Sequence, residues 1–246
     1  YVVLCNKDGS LKDDAILYKF AEDHYWLMSS DIDHRPHFTA LCEQFGISDL
    51  SISECTMAFA GIAIQGPLSA MLVKKLGVPD LELLEPYQVV DFKYQGALIR
   101  IARMGFTADL GYECWMPIEF SSRFEILLQS AIDNLKISTY GYGLTALEAC
   151  RIEGGFIVAG WDCATEIDPL PGFERSPFEL GLGWLVDLGG CNFVGRDALL
   201  QEKNKGGRYV KRCFIADGWS IPAEGAEVWG EVQGETVVIG SVNCSS

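Results

Sequence analysis

The apolar residues switch repeatedly between two-residue and helical spacing along the chain, which restricts it to a fold built from both strands and helices. Strand signals open it at residues 1–5, 15–20 and 24–29, the first two joined by the turn Lys7-Asp8-Gly9-Ser10. Asp33 is placed to cap a helix that runs to Phe45 and is ended by Gly46. Residues 57–64 are apolar on both faces, which predicts a central strand, and Gly66-Pro67 opens a short helix over 68–76. Strands follow at 87–94, 97–103 and 112–116, then helices at 119–135 and 142–153. After an irregular stretch from 160 to 177, a helix at 195–203 precedes strands at 208–216, 227–232 and 236–240. This order predicts an α+β fold, mixed sheets with helices packed on one side, over residues 1–205, and the start of a C-terminal β-barrel domain at 206–246. Because strand-like segments stand at both ends, where an intact domain would leave unpaired backbone, the chain reads as a partial sequence.

Charge and cysteine usage narrow the partners. With 34 acidic against 19 basic residues and a formal charge of −15, the average field repels a phosphate backbone, so no nucleic acid is expected. The apolar runs fall well short of the roughly 20 residues that cross a bilayer, and no membrane partner is expected. Nine cysteines without a C-x-x-C pair suit buried free thiols in a reducing compartment, which points to a cytoplasmic or organellar protein.

Four constellations could carry chemistry. Asp13 and Asp14 follow the turn, and strand geometry sends them to opposite faces, so one at most faces a given pocket. Glu113 and Trp115 share one strand face, where a carboxylate could accept paired N–H donors of a flat heterocycle and an indole could stack on it. Arg151 stands in the last turn of a helix before Gly154-Gly155, where capping and an ion pair are its ordinary uses. His34 and His37 lie one helical turn apart, but no third ligand accompanies them and no metal is expected. No glycine pattern supports a dinucleotide or nucleoside triphosphate site.

Taken in order, these segments resemble one family, the tetrahydrofolate-dependent one-carbon transfer proteins typified by the T-protein of the glycine cleavage system. Asn6, Gly9, Ser10 and Asp13-Asp14 stand where that family has Asn, Gly-Gly and Asp-Asp. Ala63-Ile64-Gln65-Gly66-Pro67 resembles its Val-Gln-Gly-Pro, and residues 103–113 resemble Arg-Thr-Gly-Tyr-Thr-Gly-Glu-x-Gly-x-Glu. Arg151-Ile152-Glu153-Gly154-Gly155 is similar to Arg-Leu-Glu-Ala-Gly. Ser176-Pro177-Phe178-Glu179 with Gly181-Leu182-Gly183-Trp184, and Phe193-Val194-Gly195-Arg196, resemble two further motifs.

The resemblance implies a three-domain ring around a folate channel, of which an N-terminal segment and most of the closing barrel lie outside this chain. It implies tetrahydrofolate as the acceptor, Asp13 as the catalytic carboxylate beside the folate amines, and Glu113 as the residue that binds the pterin. Tyr1 and Trp115 become stacking or edge contacts, and Ser30 stands where the family has a folate-contacting Asn. The donor stays open. Leu147 replaces a family Arg, the glycine turn is altered to Gly105-Phe106-Thr107-Ala108-Asp109, and residues 24–31 look more like the folate-dependent demethylases. A small methylated compound, an aminomethyl donor and a lipoyl carrier protein are the candidate partners. A folate-binding regulatory protein and the folate-linked C-terminal region of a larger oxidase are the alternatives.

Overall fold

The computed structural model describes residues 1–30, 32–218 and 220–245. Asp31, the last residue of the stretch compared with the demethylases, lies outside the described residues. The strands are β1 (Val2–Cys5), β2 (Leu11–Ala21), β3 (His24–Ser29), β4 (Phe59–Gln65), β5 (Val89–Tyr94), β6 (Ala97–Ala102), β7 (Gly111–Pro117), β8 (Glu227–Val232) and β9 (Glu235–Ser241). The helices are α1 (Arg35–Phe45), α2 (Ser69–Lys75), α3 (Ser121–Leu135), α4 (Leu144–Glu153) and α5 (Arg196–Lys205). Contacts divide the chain into two compact units, Tyr1–Ile32 with Arg151–Ser246, and Asp33–Cys150. No helix among the described residues is long and apolar enough to cross a membrane.

The first unit holds the meander β1-β2-β3 and the hairpin β8-β9. Its first turn closes with Asn6 N–H donating to Ser10 O at 2.9 Å and Gly9 N–H to Asn6 O at 3.0 Å. Gly195, at φ 88, begins α5 against this turn: a Cβ there would lie 2.5 Å from Asn6 O, so both the backbone angle and the close approach require glycine. The core of this unit is Leu11, Ile157, Cys163, Leu180 and Leu182.

The motif Ser176-Pro177-Phe178-Glu179 folds as a reciprocal cap. Glu179 N–H donates to Ser176 Oγ at 3.2 Å while Ser176 N–H donates to Glu179 Oε2 at 3.1 Å. Glu179 is 3% exposed and also accepts the backbone N–H of Arg208 at 3.1 Å and its Nε at 3.3 Å. Glu179→Ala strips the acceptor from the buried Ser176 N–H and from two Arg208 donors at once and is expected to cost about 2–3 kcal/mol. Arg208→Ala, removing the largely exposed partner, should cost about 1 kcal/mol or less. Denaturant midpoints of the two variants check the order; equal losses would contradict it.

The second unit is a four-stranded sheet in the order β4-β7-β6-β5. One face, with Ile64, Ile99, Ile101, Tyr112, Cys114 and Met116, builds the core together with Leu72 and Val73 of α2 and Phe124 and Ala131 of α3. Register places Gly61, Ala63, Gln65, Arg100, Ala102, Glu113 and Trp115 on the opposite face. That division of β7 puts the candidate pair on the side away from the helical core.

The α+β architecture agrees with the sequence reading, with four differences of detail. Every named ladder is antiparallel rather than mixed. The reason is local: Gln95-Gly96 and Gln233-Gly234, all four residues at positive φ, close two-residue hairpins that only antiparallel strands can use. Residues 57–64 do not make a central strand; β4 stands at the sheet edge, with Ile62 and Ile64 on the core face and the small Gly61 and Ala63 on the other. No ladder forms over 208–216; the backbone amides of Arg208 and Lys211 go instead to the side chain and the carbonyl of Glu179. The thiols also differ: Cys5, Cys114 and Cys163 are buried, whereas Cys55, Cys191 and Cys213 are exposed. Asp33 does accept the Arg35 N–H at 3.0 Å, one residue before the assigned cap His34.

Candidate functional site

Asp13 and Asp14 fall in β2, opposite Leu4 and Val3 of β1, and their environments differ sharply. Asp13 is 0% exposed; its Oδ1 accepts the Ser30 hydroxyl and the Asp14 N–H, both at 2.9 Å. Asp14 turns the other way and accepts the Tyr1 hydroxyl at 2.7 Å. Burial pushes the Asp14 carboxyl up, the Tyr1 bond pulls it part of the way back, and the neighbouring Asp13 charge adds to the rise. The Tyr1 ring in turn lies 6.1 Å from that of the exposed Trp184. The structure therefore joins Asp13 to Ser30 and Asp14 to Tyr1, two pairings that spacing alone did not reveal. Trp184 is an addition to the sequence-based set, and Asp14 takes on the role of holding Tyr1.

Glu113 and Trp115 lie on β7 in the second unit. Gly61 stands beside Trp115, where a Cβ would come within 3.3 Å of the indole, and Trp115 is 8% exposed. Glu113 is half-buried between Ala63 of β4 and Ala102 of β6, its two register partners. No hydrogen-bond donor among the described residues reaches its carboxylate, and burial holds its carboxyl above the ordinary 4.5. Burial raises the Tyr142 hydroxyl, and the Glu113 charge adds to the rise; Tyr142 lies outside the sequence-based set. A half-buried carboxylate between two alanines, with no donor of the described residues on it, offers two acceptor oxygens to a ligand. That arrangement can bind a flat ligand carrying parallel N–H donors.

The remaining candidates are structural in their contacts. Arg151, 1% exposed, donates to Asp162 Oδ2 at 2.6 Å, to Phe156 O at 3.2 Å and to Cys244 Sγ at 3.0 Å. Lys211 Nζ takes the carbonyls of Gly155 and Phe156 after α4, at 3.0 and 3.3 Å. His34 and His37 meet edge to face with ring centroids 6.5 Å apart, and the described residues contain no group of three or more His, Cys, Asp or Glu able to hold a metal ion.

Residues 1–190 match the family described as the GCVT N-terminal domain. The chain belongs to this family. Among its relatives, the aminomethyltransferase of Caldanaerobacter subterraneus subsp. tengcongensis is 30% identical over 238 residues, covering 95% of this chain and 60% of the relative. That of Streptomyces avermitilis is 30% identical over 244 residues, covering 96% and 62%. The crystal structure of glycine cleavage system aminomethyltransferase T from Bartonella henselae superposes with a TM-score of 0.70 at 22% identity, over 98% of this chain and 62% of that one. The chain thus spans about 60% of the length of its curated relatives. The shared fold and family account for the order of motifs from Asn6 to Arg196.

Proposed function

We propose that this GCVT-family chain is the folate-binding part of a one-carbon transferase that moves a methylene or methyl unit to tetrahydrofolate. The observation that carries the proposal is Glu113: a half-buried carboxylate with no donor of its own, raised by burial, on the sheet face opposite the one that packs on α2 and α3. An acceptor left unsatisfied in partial burial costs free energy until a ligand supplies donors. The pterin 2-amino group and adjacent ring N–H are two parallel donors of that kind, and Trp115, two residues along the same face, offers an edge for the ring.

In this reading Asp13 orients the secondary amine that accepts the one-carbon unit and manages its proton, with the Ser30 hydroxyl holding Oδ1. Because Asp13 is 0% exposed, an amine meets it only when the residues covering it give way to the ligand. Tyr1, held by Asp14, is an edge contact. The relatives' name, aminomethyltransferase, supports an aminomethyl donor, with a lipoyl carrier protein as its bearer. Leu147 and Ser30, which depart from the family pattern, favour a small methylated donor as the second reading. Residues 206–246, which follow the matched 1–190, are proposed as the opening of a separate β-domain.

Calorimetric titration of tetrahydrofolate into the full-length protein tests the proposal. Saturable binding of one equivalent is expected; absence of binding at millimolar ligand would overturn it.

A further inference from the structure

Gln65, the last residue of β4, lies on the same sheet face as Glu113, since Gln65 pairs with Gly111 and Ala63 pairs with Glu113. Its Nε2 donates to the carbonyls of Met104 at 3.3 Å and Tyr112 at 3.4 Å, and its Oε1 accepts the Thr107 hydroxyl at 3.2 Å. Carbonyls only accept, so the two of them fix which end of the amide faces which way. One side chain therefore bonds to both ends and the middle of the turn 104–112 that leads into Glu113. Gly66 N–H and Ser69 Oγ add bonds to Leu110 O, at 2.8 and 3.1 Å.

The glycines of this turn answer to the same side chain. A Cβ built on Gly105 or on Gly111 would fall closer than 3.0 Å to Oε1, Cδ and Nε2 of Gln65, its three nearest neighbours in each case. Neither glycine has a positive φ, so the backbone angle alone does not require glycine at either place. What both positions leave open is the space that the Gln65 amide fills.

We infer that Gln65 is a positioning residue that locks the turn 104–112 and so fixes the direction in which Glu113 presents its carboxylate to the ligand. The inference rests on the reading of Glu113 as the pterin acceptor. It also explains why a Gln-Gly-Pro segment and a glycine-punctuated turn 40 residues further on belong together: they are two halves of one clamp.

The test is a double-variant cycle in the full-length protein, reading tetrahydrofolate affinity and amide hydrogen exchange over 105–111. Gln65→Ala should weaken binding about tenfold and speed exchange in the turn by a similar factor, with little change in the unfolding midpoint. Gly105→Ala should do the same by evicting the amide. The two together should be no worse than either alone, because the new methyl then occupies vacated space. Losses that multiply, or turn exchange unchanged in Gln65→Ala, would overturn the inference. So would retained affinity in Gln65→Ala while Glu113→Gln binds weakly. If Glu113→Gln itself binds normally, the pterin reading fails, and the exchange data still decide whether the clamp exists.

Discussion

Asp13→Asn is expected to cut turnover by about 10² or more with tetrahydrofolate affinity largely kept. An amide cannot take up or return the amine proton, yet it preserves the size of the side chain, and its oxygen can still receive the Ser30 hydroxyl that Oδ1 accepts at 2.9 Å. The neighbour supplies the control. Asp14→Asn keeps an acceptor for the Tyr1 hydroxyl and removes a charge that burial already disfavours, so turnover should stay within about fivefold of the parent. Single-turnover rates at saturating tetrahydrofolate separate chemistry from binding. Equal losses in the two variants, or a loss confined to Asp14→Asn, would overturn the register on which Asp13, Ser30 and Tyr1 were assigned.

The second large effect is expected at Glu113. Glu113→Gln replaces one acceptor oxygen by a donor that faces the ligand's own donors, and binding should weaken by about 2–4 kcal/mol. A pH dependence accompanies it. The folded carboxyl is raised by burial, and a ligand with paired donors selects the ionised form, so affinity should fall as pH drops through that raised value, at about tenfold per pH unit. The fall should begin at higher pH than an exposed glutamate would give, and Glu113→Gln should abolish it. Calorimetry of both proteins across the acidic range measures this; a dependence that survives the substitution assigns the titration to another group.

The strands and helices were largely legible because their signals are local. Turn residues at Asp8-Gly9 and alternation along β2 and β7 depend on a few neighbouring side chains, and tertiary packing does not reverse them. β4 reads as central because apolar residues on both faces do not say whether a strand has one neighbour or two. The expected strand over 208–216 does not form, and Glu179, 29 residues upstream of Arg208, takes the Arg208 and Lys211 amides, a contact the local sequence does not show. Within the candidate site, the alternation that parts Asp13 from Asp14 and unites Glu113 with Trp115 follows from strand period alone. The bonds from Ser30 and Tyr1, and the Gln65 clamp on the turn, join residues 13 to 47 positions apart, where spacing carries no information.

The central claim is that a one-carbon unit reaches tetrahydrofolate on this protein. The most direct measurement supplies the full-length protein with tetrahydrofolate and ¹³C-labelled donors, an aminomethyl-lipoyl carrier and small methylated sulfur or oxygen compounds, and follows the label by NMR. Label appearing as 5,10-methylene- or 5-methyltetrahydrofolate, and reduced about 10² or more in Asp13→Asn, is the predicted result. Tetrahydrofolate that binds but receives no label from any donor would contradict it.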